Sequence, residues 1–238
     1  PGDYLRFSAE GFYKAYSGYP ISELEGVSLA SKGTEYGQVG DEAVESTGLG
    51  RAYGLELVAR LSPWRQLSAT ATYTLFRSEF TDRAGVYRPS SWDTQQMLNL
   101  LLSYRLGKSW YLSARWRYIG GAPYTPVDME RSTDRAAWAL THRAYPDYAR
   151  FNTLRLPDKH QLDLRLDKEF YFKRWMLNLY VDVQNAYLSA TVNAPVYTNL
   201  DPSGRVLAHP TDPSRQQLRQ LDYYSRLVLP TLGLIAKF

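Results

Sequence analysis

The chain contains no cysteine in 238 residues, which excludes a disulfide framework and any thiolate metal site. It has no stretch approaching the ~20 consecutive apolar residues of a membrane-spanning helix. With a mean hydropathy of −0.42, hydropathy alone reads it as water-soluble. That reading is unsafe for one class of protein, because barrel strands place every second residue in a polar lumen and so escape the test. No run of five basic residues occurs, although the net charge is +4. The scattered cations argue against nucleic acid, whose recognition calls for a clustered basic patch. The opening Pro1-Gly2-Asp3-Tyr4 shows neither an initiator methionine nor the basic and apolar regions of a signal peptide, and reads as the middle of a longer protein.

Aromatic residues are abundant, at 14% of the chain, and 20 of them are tyrosines. Tyr and Trp suit places where one end of the ring is apolar and the other wet, and a membrane interface is such a place.

The dominant pattern is period-two alternation in eight segments of roughly ten to thirteen residues, the length of a barrel strand. Residues 67–79 set Leu67, Ala69, Ala71, Tyr73 and Leu75 against Ser68, Thr70, Thr72 and Thr74. Residues 160–172 set Leu162, Leu164, Leu166 and Phe170 against Gln161, Asp163, Arg165, Asp167 and Glu169. The same holds at 4–16, 50–62, 95–106, 110–119, 175–185 and 228–238. Three connections are tight, near 63–66, 107–109 and 173–174, and four are long, near 17–49, 80–91, 120–159 and 186–227. Trp64, Trp110, Phe172, Trp175 and Phe238 fall at the short-turn ends, and Tyr13, Tyr53, Tyr73 and Tyr118 toward the long-loop ends.

A soluble antiparallel sandwich also alternates apolar with polar. Strand length, the asymmetry of the connections and the two aromatic girdles favour an all-β transmembrane antiparallel barrel, with short periplasmic turns and long extracellular loops. Within the loops, Asp201-Pro202-Ser203-Gly204 predicts a turn joining Val196–Leu200 to Arg205–His209, and residues 132–143 predict a short helix capped by Ser132 or Thr133.

Several segments resemble the C-terminal barrel of TonB-dependent outer-membrane receptors, in particular those of Bacteroidetes-type bacteria. They are GRAYGLEL at Gly50–Leu57, GGAPYTPV at Gly120–Val127, RFNTLRLPDKHQLDLRLDKEF at Arg150–Phe170, LYVDVQNAY at Leu179–Tyr187 and the closing LPTLGLIAKF at Leu229–Phe238. The resemblance implies the outer membrane and active import of a scarce nutrient (siderophore, vitamin, glycan or peptide) past an N-terminal plug pulled through TonB. A full barrel of that kind has about 22 strands. The eight here are expected to be its C-terminal arc, without a plug or TonB box in this sequence. Expected partners are outer-membrane lipid, the remainder of the barrel and plug, the TonB complex through that plug, and a surface lipoprotein; no cofactor or metal is expected.

Candidate ligand contacts are the loop aromatics Tyr124, Trp138, Tyr145, Tyr148 and Tyr197, and the inward Arg115 and Arg117. Stacking on a ligand and packing against one another remain alternatives for these rings. His160 beside Asp158 raises the alternative of an outer-membrane hydrolase, since such a pair can activate water or serine. A freestanding eight-stranded barrel serving as adhesin or anchor is the other alternative, and predicts that the first strand pairs with the last. No enzyme activity is expected.

Overall fold

The computed structural model describes residues 4–32, 42–221 and 224–238. Eight long strands form one antiparallel sheet in chain order: β1 (Leu5–Ser22), β2 (Val44–Trp64), β3 (Leu67–Thr81), β4 (Gln96–Gly107), β5 (Trp110–Ile119), β6 (Lys159–Tyr171), β7 (Met176–Gln184) and β8 (Leu229–Lys237). Each strand pairs with the next, and among the described residues β1 and β8 pair with no ninth long strand and not with each other. The sheet is therefore an open arc rather than a small closed barrel.

The alternation survives pairing intact, so that whole rows of like residues cross the sheet. Ala59, Ala71, Leu100, Trp116 and Leu162 stand opposite one another on one face, followed two rows away by Leu61, Ala69, Leu102, Ala114 and Leu164. Between them runs a row of the opposite face, Arg60, Thr70, Leu101, Arg115 and Asp163. A one-residue slip anywhere would exchange the faces. The polar face carries a trough of about 620 Å³ whose lining runs from Arg60 on β2 to Asp182 on β7.

The second short turn has both central residues, Lys108 and Ser109, at positive φ (48° and 62°), the backbone that a tight hairpin favours because it matches strand twist. At the other end β1 and β2 continue beyond the expected 4–16 and 50–62. Gly18, at φ 70°, absorbs a register shift there, after which Tyr19 pairs with Gly48 and Ile21 with Glu45. A Gly-Tyr-Pro sequence reads locally as a turn, but here it is a bulge that bends a strand onward.

Among the described residues, conventional hydrophobic burial is confined to the long-loop end. The buried apolar residues are Ile21, Val27, Phe80, Trp138 and Phe151, none of them in the middle of the sheet. Backbone bonds tie the loops together, from Arg83 N–H to the Gly26 carbonyl (2.8 Å), Ser91 N–H to that of Ser31 (3.3 Å) and Gln216 N–H to that of Thr133 (2.8 Å).

Two local expectations need correction. Residues 129–141 form two short helices, α1 (Met129–Thr133) and α2 (Arg135–Thr141), rather than one starting at Ser132 or Thr133. The caps are Asp128 and Asp134, whose carboxylates accept from the N–H of Arg131 and Ala137 and so satisfy otherwise unpaired first-turn donors. The Asp201–Gly204 turn forms and Leu200 bridges Val206, but Val196–Thr198 pairs with Arg219–Leu221 instead of Arg205–His209. The partner strand came from farther along the same loop.

Candidate functional site at the long-loop end

Asp93 anchors the base of the loops. Its carboxylate is fully buried and accepts from the Ser78 backbone N–H (2.9 Å), from Arg77 (3.2 Å) and from Arg155. The other arm of Arg155 donates to the carbonyl of Gly121 (3.0 Å) and to that of Asp93 itself. One carboxylate thus joins the β3–β4 connection to both stems of the β5–β6 loop. The close approach depends on glycine: a Cβ on Gly120 would stand 2.2 Å from the Thr94 carbonyl oxygen, and one on Gly121 would stand 1.7 Å from that of Leu156. Gly121 N–H also donates to Asp158 (2.9 Å), which accepts in addition from the Tyr118 hydroxyl. The Tyr118 and Gly121 bonds hold the Asp158 carboxyl below the usual range, because both donors favour its charged form.

Above this base lie two adjoining cavities that share Tyr124 and Pro195. One, of about 340 Å³, is lined by Tyr124 and Tyr197 with Arg143, Phe151 and Asn152. The other, of about 250 Å³, adds Arg155, Tyr224 and Arg226. The lining is mixed aromatic and cationic, which suits contact with a polar ligand that has flat or apolar parts.

The remaining sequence candidates sit elsewhere. Trp138 is a buried residue of α2, and Tyr145 donates through its hydroxyl to the Ala137 carbonyl (2.8 Å) beneath the Arg131 guanidinium. Tyr148 stacks on Phe151 with centroids 6.0 Å apart, and the Lys32 ammonium lies 5.8 Å over its ring. Lys32 itself is held by Glu25 and Glu42. Burial opposes its charge, but the two carboxylates prevail and raise its pKa above that of a free lysine. Arg115 and Arg117 are down in the wall, where both face Asp163, at 2.6 and 3.6 Å. Asp163 also accepts from Gln161 and from the Asn185 backbone (3.0 Å), and one row below it Arg165 grips Asp167 (2.7 Å). The tyrosines and the arginines thus form two groups rather than one site.

Sequence reasoning missed Asp93, Arg77 and Arg155. The Asp93–Arg155 contact joins residues 62 apart and has no local motif. A buried carboxylate among turn residues is invisible until the chain is folded.

The histidines form no catalytic constellation. Asp158 is occupied by Tyr118 and Gly121, while His160 Nδ1 contacts the Tyr187 hydroxyl at 2.7 Å and the Ser189 hydroxyl at 3.4 Å, with no carboxylate paired to the ring among the described residues. Among the described residues no cluster of His, Asp or Glu is placed to hold a metal ion.

Residues 1–186 match the protein family described as "TonB dependent receptor-like, beta-barrel". The chain belongs to that family. Its members are transport receptors of the Gram-negative outer membrane, not enzymes, so this barrel arc is an outer-membrane structure. No protein with a curated description is similar enough in sequence to count as a relative. Among solved structures, the fold is similar to the ferric-catecholate import receptor Fiu of E. coli K12, with a TM-score of 0.52 at 12% identity over 99% of this chain. It is similar also to FpvAI in complex with pyocin S2 (0.54 at 16%, over 99%) and to the ferripyoverdine receptor of Pseudomonas aeruginosa (0.52 at 16%, over 97%). The chain spans only 26% of the first two proteins and 25% of the third. At these identities the likeness is one of fold.

Proposed function

We propose that the chain is the C-terminal arc of an outer-membrane importer, with the long loops extracellular, the short turns periplasmic and the polar face lining a plugged lumen. The observation that carries this reading is the open sheet: one face is apolar, the other charged, and the outer sides of both edge strands are unpaired among the described residues. Unpaired backbone in hydrocarbon costs several kcal/mol per group, so the edges call for further strands of a larger barrel. A lumen contacted by a plug accounts for the ion network at Arg115, Asp163, Arg165 and Asp167, which a lipid-facing surface would not tolerate. Import then runs through the plug and TonB, and a surface lipoprotein is a further partner. At the mouth, Tyr124 and Tyr197 are the proposed ligand contacts, because they share one open cavity. Arg115 and Arg117 are the proposed contacts on the path below.

The test uses the full-length receptor in cells, with binding and uptake of its nutrient measured separately. Tyr124→Ala with Tyr197→Ala should weaken binding by roughly tenfold, the scale of two lost aromatic contacts. An uncoupler should stop uptake and leave binding intact. Uptake that persists without the proton-motive force, or binding indifferent to both tyrosines, would overturn the proposal.

A further inference from the structure

At the short-turn end every connection combines exposed aromatic rings with cations: Trp64 with Arg65, Lys108 with Trp110, and Lys173 and Arg174 between Phe172 and Trp175. Lys168 joins them from the apolar face of β6, where its neighbours across the sheet are Trp110 and Leu179. Its ammonium lies 5.1 Å over the Trp110 ring and 5.4 Å over that of Phe170, and donates to the Lys108 carbonyl. A lysine on a lipid-facing surface is costly at mid-membrane and is tolerated near the interface, where its stem stays apolar and its head reaches the headgroups. Lys168 therefore marks the level of the headgroups.

None of these five cations forms an ion pair among the described residues, and the turns 63–66, 107–109 and 172–175 contain no acidic residue. The nearby Glu169 is on the other face and is engaged by Tyr171. The long loops mix cations that have carboxylate partners, such as Lys32, Arg88 and Arg155, with others that have none, whereas at this rim all five lack one among the described residues. A row of unpaired cations at headgroup level, set in an aromatic belt, is complementary to a plane of negative charge.

We propose that this rim is a binding surface for anionic phospholipid, taking the headgroup phosphates of the periplasmic leaflet between Lys108, Lys168, Lys173 and Arg174. The inference rests on the membrane orientation proposed above. The cations compensate lipid phosphate in place of protein carboxylates, and the rings of Trp110, Phe172 and Trp175 fix their depth. Zwitterionic lipid offers each phosphate with its own ammonium, and so binds the rim less well.

The test is native mass spectrometry of the delipidated full-length receptor titrated with phosphatidylglycerol or phosphatidylcholine. The wild type should prefer phosphatidylglycerol by about tenfold, and the preference should fall severalfold between 50 and 500 mM ammonium acetate, as charge attraction is screened (~14 Å to ~4 Å Debye length). The quadruple variant Lys108→Gln, Lys168→Gln, Lys173→Gln, Arg174→Gln should bind the two lipids within about twofold. A control replacing Arg83, Arg135, Arg205 and Arg219 of the long loops by Gln should keep the preference. Heat-dependent gel mobility reports whether each variant has folded, and the salt titration of the wild type stands even if the variant has not. An equal preference in wild type and folded quadruple variant, or a salt-independent one, overturns the proposal. So does a variant that keeps its lipid preference but loses energised uptake, since that assigns the rim to a periplasmic protein. Because lipid binding needs neither nutrient nor TonB, a wild-type receptor that shows the preference and fails to import contradicts the functional reading alone.

Discussion

The two ends of the sheet solve the same problem in opposite ways. At the long-loop end a set of side chains finds its partners within the protein: Phe151 is 2% exposed, Asp93 is gripped by two arginines, and Lys32 is held by two glutamates. At the short-turn end the rings and cations stand exposed and no buried apolar residue is found among the described ones. The first end carries its own core, whereas the second relies on its surroundings to act as one. Substitutions should therefore be expensive where the protein is the partner and mild where the membrane is.

The largest effect is expected at the loop base. Asp93→Ala leaves Arg77 and Arg155 without their shared buried carboxylate and should destabilise the loops by about 3–5 kcal/mol. Protease should then cut within 120–159 while the strands stay intact. The matched change at the other end, Lys173→Gln, should shift stability by less than ~0.5 kcal/mol. Equal costs at the two ends would erase the contrast. Between the ends, Leu164→Arg on the apolar face should cost roughly 2–4 kcal/mol in bilayer unfolding measurements. A neutral result would place that face away from lipid.

The smallest effect sharpens the long-loop side through pH. Burial acts against the charge of Glu42, but bonds from Lys32 and Ser22 outweigh it and lower its pKa from the ordinary 4.5. A lowered carboxyl contributes stability above pH 4.5 that is lost as the pH falls through its folded value. Lys32, raised from 10.5, contributes below that pH and loses its contribution as the pH rises through its folded value. Amide exchange at Ser22 and Gly26, corrected for intrinsic rate, should be slowest between these limits and speed up by roughly a few-fold below pH 4.5. The turn at Lys108 should show no such change.

The same division decides how much the sequence discloses. The strands were legible because barrel geometry repeats every two residues, and Thr70, Thr72 and Thr74 against Ala69, Ala71 and Tyr73 show their faces without any partner. The short turns were legible because their chemistry is local. The loop base was not, since Asp93, Arg155 and Gly121 meet only after the sheet has brought three segments together. The bulge at Gly18 was misread as a strand end for a related reason: only the pairing of Tyr19 with Gly48 shows that the strand goes on. Of the proposed ligand contacts, the chemical type could be read from aromatic loops, but not which rings would share a cavity.

The central claim is that β3 and its neighbours divide lumen from lipid residue by residue. Because this chain has no native cysteine, single spin labels can be placed at 69 through 74 without interference from its own thiols. In the reconstituted full-length receptor, labels replacing Ala69, Ala71 and Tyr73 should collide freely with oxygen dissolved in the bilayer. Those replacing Thr70, Thr72 and Thr74 should be shielded from it, giving a period of two. A profile with no period, or one with the threonines facing lipid, would contradict the account.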